Sequence, residues 1–192
     1  MERSTVGFWI VVVAMLGAAG FFGMGAEARR REAQKSEAAL ETGEIVTLER
    51  ILDADTITVR KESGETVAVR IIGIKAFNTQ PVRDPTARWG QAARDALEKA
   101  CKDQPIRVLL GTPAQDKHGR TLATLYVDDH DVGFDLVKAG LALVYTVYPF
   151  PSMSMYLAEQ EAAQGKQKGI WGDEAVAERA RLLGQEWRRQ AK

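Results

Sequence analysis

The chain has 192 residues, 45% of them hydrophobic and 27% charged, a balance that supports one ordinary folded core with extensions. Lys plus Arg number 26, as do Asp plus Glu, so the formal net charge is zero, and between Glu44 and Trp171 the count is 16 basic to 17 acidic. This excludes the overall basic excess typical of nucleic-acid binders, although totals say nothing of a local basic groove. A single cysteine excludes an intrachain disulfide; Cys101 lies in a predicted helix and reads as a small buried hydrophobe. His118 and His130 sit in turn-like settings without ligand spacing, so no zinc site is expected.

In chain order, residues 4–26 carry no charge and include GFWIVVVAMLGAAGFF. As a helix this run reaches about 34 Å, enough to span a hydrocarbon core of about 30 Å. It is read as a transmembrane anchor. A cleaved signal peptide ending near Ala26-Glu27-Ala28 is the alternative, disfavoured by the length of the run and by an n-region in which Glu2 offsets Arg3. Arg29, Arg30 and Arg31 follow the span and favour a cytoplasmic domain under the positive-inside rule, against Arg3 before it; the side stays open. The pairs Ala14/Ala18 and Ala19/Gly23 offer small-residue faces for another helix. Residues 27–43 read as a charged helical linker stopped near Gly43.

From Glu44 the pattern changes. Thr56 to Arg60 and Thr66 to Ile72 are predicted strands joined by a turn containing Lys-Glu-Ser-Gly, with Val67, Val69 and Ile71 on one face of the second. A Pro-rich loop covers Pro81 to Pro85, and a helix runs over Trp89 to Cys101 with Ala93, Leu97 and Ala100 at core spacing. Ile106 to Leu110 and Leu122 to Val127 are further strands bracketing the loop Asp116-Lys117-His118-Gly119-Arg120. An Asp-rich turn, a short helix over Phe134 to Ala139, an apolar stretch over Leu141 to Tyr145 and a helix over Ser152 to Lys166 follow. The predicted class is α+β: about five strands as a small barrel with about three helices, closed by Gly169-Ile170-Trp171-Gly172. Residues 173–192 form an amphipathic helix whose Val176, Ala180, Leu183 and Trp187 make one apolar stripe, expected to pack on its own domain, with a partner's docking surface as the alternative.

Six segments, in order, carry a resemblance: Asp53-Ala54-Asp55-Thr56, Val69-Arg70-Ile71-Ile72-Gly73-Ile74, Trp89-Gly90-Gln91-Ala92-Ala93, Asp116 to Arg120, Leu136-Val137-Lys138-Ala139-Gly140-Leu141-Ala142 and Gly169-Ile170-Trp171. Together, over residues 44–172, they resemble the staphylococcal nuclease (thermonuclease-like) domain. The resemblance implies an OB-type barrel and a site in which calcium and two arginines stabilise charge on a phosphate while a carboxylate activates water. By position it implies Asp55 as a calcium-binding aspartate with Asp53 nearby, and Arg70 and Arg120 as phosphate-contacting arginines whose planar forks suit bidentate contact. The segment Ile74-Lys75-Ala76-Phe77-Asn78 departs from the family pattern: Lys75 falls where a second metal-ligating aspartate is expected, and Asn78 where the glutamate base is expected. Lysine offers no oxygen to a hard cation, and asparagine accepts no proton at useful pH. The Lys75 ammonium is expected to occupy the space near Asp55 that a calcium ion would fill. Asp84 is the nearest acid in sequence that could replace the base.

Three functions follow as expectations. The first is a membrane-held noncatalytic module, without cofactor; Arg70 and Arg120 then serve either as remnants of a phosphate site or as structural partners of Asp53, Asp55 or Asp116. The second is an active nuclease on DNA or RNA with altered metal dependence, calcium being the cofactor if activity remains. The third is a subunit of a membrane complex, with protein partners held through the span and the C-terminal helix.

Overall fold

The computed structural model describes residues 40–191. The expected anchor (4–26) and linker residues 27–39 lie outside the described residues. Residues 40–42, the end of the expected linker helix, are not helical. No helix among the described residues is long and apolar enough to cross a membrane.

Five strands close into a barrel. β1 (Ile45–Asp53), β2 (Thr56–Arg60) and β3 (Thr66–Ile71) form an antiparallel meander, and β5 (Ile106–Gln115) pairs with both β1 and β6 (Thr121–Val127). The barrel closes where β3 meets β6 in parallel, with Val69 opposite Thr121, Arg70 opposite Leu122 and Ile71 opposite Ala123. Closure leaves these five strands without a long free edge. Alternation sets the interior: Val67, Val69 and Ile71 of β3 are buried, as are Thr121, Ala123, Leu125 and Val127 of β6. β2 is buried on both faces from Thr56 to Val59. Ile57 and Val59 are wholly inaccessible, and each such side chain contributes about 1.5–3 kcal/mol of burial.

Two short strands matter to the site. β4 (Ile74–Lys75) pairs with β8 (Leu143–Val144), placing Lys75 opposite Leu143; β7 (His130–Asp131) extends the sheet beyond β6. Four helices decorate the barrel: α1 (Ala87–Cys101), α2 (Val132–Lys138), α3 (Met153–Gly165) and α4 (Glu174–Gln190), with a 3-10 turn at Gly169–Gly172. α1 buries Ala93 and Leu97 as expected, but its last inward residue is Cys101 rather than Ala100. The α2–α3 region is locked to the 3-10 turn by mutual backbone approach: a Cβ at Gly140 would lie 2.2 Å from the Lys168 carbonyl oxygen, and one at Gly169 would lie 2.2 Å from that of Gly140.

α4 packs on its own domain. Val176, Ala180 and Trp187 are buried and Leu183 is partly so, against Phe77, Leu143, Val147, Ala163, Ile170 and Trp171. Polar contacts latch the same helix. Its N-cap Asp173 accepts from Val176 N and from the Trp89 indole N–H at 3.3 Å, and pairs with Arg88, while Arg179 donates to both oxygens of Asp84 at 2.8 and 3.0 Å.

Candidate functional site

The β1–β2 turn delivers Asp55 inward, and its carboxylate is almost fully buried, at 2% exposure. A buried charge needs partners, and four groups supply them. Thr56 Oγ1 donates to Oδ1 at 3.0 Å, and the Ala76 N–H donates to Oδ2 at 3.4 Å. The Lys75 ammonium lies 3.0 Å from Oδ2, and the Arg70 guanidinium lies 3.4 Å from the same oxygen. β4 positions Lys75 through its pairing with β8. The chain after it is held by α1: a Cβ on Gly90 would fall 2.4 Å from the Phe77 carbonyl oxygen and 2.7 Å from that of Asn78, so only glycine lets the helix lie this close. The register of the segment is therefore fixed from both sides. Lys75 faces Asp55, and Asn78 is exposed.

Arg70, on β3, is committed to the protein. Nη1 donates to the carbonyl oxygens of Asp55 (2.9 Å) and Ile71 (3.0 Å), and Nη2 donates to that of Ile74 (2.7 Å). Its side chain is 12% exposed. Burial pulls its pKa below the ordinary value, Asp55 opposes that shift, and the charge of Arg120 adds to it. β3–β6 pairing sets Leu122, two residues past Arg120, opposite Arg70. Arg120 folds back on its own loop: Nε donates to Asp116 Oδ2 at 2.8 Å, and Nη2 lies 2.7 Å from the same oxygen. Burial would raise the Asp116 carboxyl, but hydrogen bonds from the backbone and side chain of Arg120 and the backbone of His118 outweigh it and hold the group below its usual value. Arg120 remains the more open arginine, with 36% of its side chain exposed.

The sequence-predicted residues therefore separate. Asp55, Arg70 and Lys75 form one cluster, with Arg120 near it on the closing strand's loop. The Asp53 side chain is exposed and joins none of these pairs. Asp84 is engaged elsewhere: Arg179, with the backbone and hydroxyl of Thr86, holds its carboxyl down to about 2, which makes it a poor proton acceptor. Among the described residues no group of three or more His, Cys, Asp or Glu is arranged to hold a metal ion. Cys101 is buried and burial pushes its thiol up to about 12, so it carries no thiolate chemistry near neutrality.

Sequence reasoning missed one polar device. Asp131 caps α2 by accepting from Phe134 N, and Tyr156 donates to it, with its hydroxyl oxygen 2.8 Å from both carboxylate oxygens. Burial raises the Asp131 carboxyl and the Tyr156 phenol alike. Asp131 stands three residues before Phe134, a spacing that marks an N-cap; its tyrosine partner, 25 residues away, left no local signal.

A barrel closed by β3 and β6, with an acid on the first turn and an arginine on each closing element, is the arrangement that the six ordered segments led one to expect. The staphylococcal nuclease homologue family model matches residues 68–173. The chain belongs to that family. Its relatives include the thermonuclease of Staphylococcus intermedius, 34% identical over 131 residues that cover 67% of this chain and 77% of the relative. The thermonuclease of Staphylococcus hyicus is 28% identical over 174 residues, covering 90% of this chain and all of the relative. An uncharacterized endonuclease of Haemophilus influenzae is 29% identical over 143 residues, covering 74% and 72%. The barrel and the matched segment, residues 68–173, carry Arg70, Lys75, Asn78 and Arg120, and Asp55 stands on the β1–β2 turn before it.

Proposed function

We propose that this family member is a membrane-anchored module that does not cleave nucleic acid with calcium and acts by binding, as an accessory subunit of a membrane complex. The observation that carries this reading is the Lys75 ammonium 3.0 Å from Asp55 Oδ2. A hard divalent cation takes six to eight oxygen ligands, as calcium does, or a near-octahedral oxygen shell, as magnesium does. The Asp55 site offers one carboxylate, and that carboxylate is already surrounded by an ammonium, a guanidinium and a backbone N–H. The residues present do not fit the family's calcium ion. Asn78 supplies no general base, and Asp84 is tied to Arg179. The uncharged, apolar run over residues 4–26 supports the anchor, and the neutral net charge argues against a general nucleic-acid scavenger.

The test is cleavage of single-stranded DNA and RNA by the purified full-length protein with millimolar calcium. No release of nucleotides is expected. Robust calcium-dependent cleavage abolished by Arg120→Ala would overturn the reading and establish the alternative, an active endonuclease, as the Haemophilus influenzae relative is named. The double substitution Lys75→Asp with Asn78→Glu is expected to gain calcium-dependent cleavage that the unmodified chain lacks. Membrane association is checked by flotation with lipid vesicles. Migration as a lone 21.1 kDa species after gentle detergent extraction would remove the subunit reading.

A further inference from the structure

A cavity of about 460 Å³ opens between α3 and α4, lined on its apolar side by Leu143 and Val144 of β8, by Trp171 and by Trp187. Spaces of this size hold small organic molecules. Its wall includes the two buried side-chain polar atoms that the fold leaves without a hydrogen-bond partner among the described residues, the Thr146 hydroxyl and the Trp171 indole N–H. The two residues are only 8% and 5% exposed. An unpaired buried donor destabilises a fold, and native interiors contain few. Both of these border the same space. The opening is polar as well. Exposed Arg188 of α4 has no carboxylate partner among the described residues, whereas Arg181 pairs with Glu178. Gly184 adds a third sign. It interrupts the interior of α4, where alanine would be the stronger helix former, yet a Cβ there would meet only Arg188 Nη1, at an ordinary 3.6 Å. Packing within the domain does not call for glycine at this position; keeping the cavity open does.

We infer that this cavity binds a small organic carboxylate with an apolar body and a second acceptor such as an amide carbonyl. The apolar body rests on Leu143, Trp171 and Trp187, the carboxylate meets the Arg188 fork, and the carbonyl accepts from the Trp171 indole. Donors dominate the lining: the indole N–H and the Arg188 guanidinium only donate, and Glu161 is the one residue there that only accepts. A hydrocarbon would leave the indole and the Thr146 hydroxyl unpaired, and a cation would meet two arginines. The α4 wall, residues 174–190, lies beyond the segment matched by the family model, residues 68–173. No lining residue belongs to the Asp55 cluster, so this inference does not rest on the reading of that site.

The probe is N-acetylphenylalaninate, with uncharged N-acetylphenylalaninamide as its counterpart. Each is titrated into full-length protein in detergent, followed by tryptophan fluorescence and by calorimetry against a micelle-only blank. The carboxylate is expected to bind saturably with a Kd of about 1 mM or tighter, and the amide about tenfold more weakly. Arg188→Gln, at an exposed position, should weaken the carboxylate about tenfold and bring it level with the amide. Gly184→Leu, which fills the cavity, should abolish binding of both probes while raising the melting temperature through its better helix propensity, so that the loss does not come from unfolding. No saturable binding of the carboxylate up to about 20 mM, equal binding of the two probes, or binding indifferent to both substitutions would each overturn the inference. Calcium-dependent cleavage of nucleic acid by the same preparation would overturn the noncatalytic reading and leave the carboxylate site standing.

Discussion

Two carboxylate–cation pairings hold this domain together in opposite ways. At the barrel, Asp55 is buried to 2% exposure and depends on Arg70 and Lys75. Under α4, Asp84 meets Arg179 at the surface, with 53% of the arginine side chain exposed. The distances are similar and the consequences are not. Water replaces a lost partner at Asp84 at small cost, because exposed pairs contribute little. At Asp55 no water replaces it, and removing one partner leaves a buried charge with fewer groups to offset it. What fastens α4 is then its apolar face on Trp171, Ile170 and Leu143, with the Asp84 and Asp173 contacts setting register more than stability.

The largest expected effect follows from that contrast. Arg70→Met should destabilise the domain by about 3–5 kcal/mol in urea melts, because it removes one of the two cations at a buried carboxylate together with the donors that Arg70 gives to the carbonyl oxygens of Ile71 and Ile74. A loss under about 1 kcal/mol would mean that Lys75 alone satisfies Asp55 and would break the comparison. Tyr156→Phe sharpens it, since Asp131 is a part-buried carboxylate that pairs with no cation among the described residues. Loss of the phenol should cost about 2 kcal/mol, as for hydrogen bonds to charged groups. The surface pair should show itself in pH dependence. The Asp84 carboxyl is held down to about 2 in the folded chain against an ordinary value of 3.8. Its contribution is therefore complete above pH about 4 and disappears as pH falls toward 2. Arg179→Ala should alter the melting temperature least of these changes. The difference from the unmodified chain should shrink as pH falls toward 2, where Asp84 becomes protonated.

Much of the barrel was legible because β3 and β6 alternate with period two and one face of each is fully enclosed. The apolar stripe of α4 was legible for the same reason at helical period. β4 and β8 were not, because two residues carry no period; they exist through pairing across some seventy positions, from Ile74 to Val144. The site followed the same rule. Lys75 beside Asp55 could be anticipated by placing the segment against the family pattern, and β4 then fixes its register. The engagement of Asp84 with Arg179, and of Asp131 with Tyr156, depends on side chains brought together from distant elements, and neither residue's neighbours in sequence announce it.

The parallel meeting of β3 and β6 also gives the cluster a place in time. Asp55 and Arg70 stand 15 positions apart and can associate as soon as the first meander forms, whereas Lys75 is placed only when β4 pairs with β8. Arg120 arrives only when β6 docks on β3, a pairing some fifty residues apart in sequence. Contacts of such separation form slowly because the chain must first surrender the freedom of the intervening loop. During refolding, strand signal should therefore return before Arg120 reaches its place, and the β3–β6 pairing marks the moment the cylinder shuts.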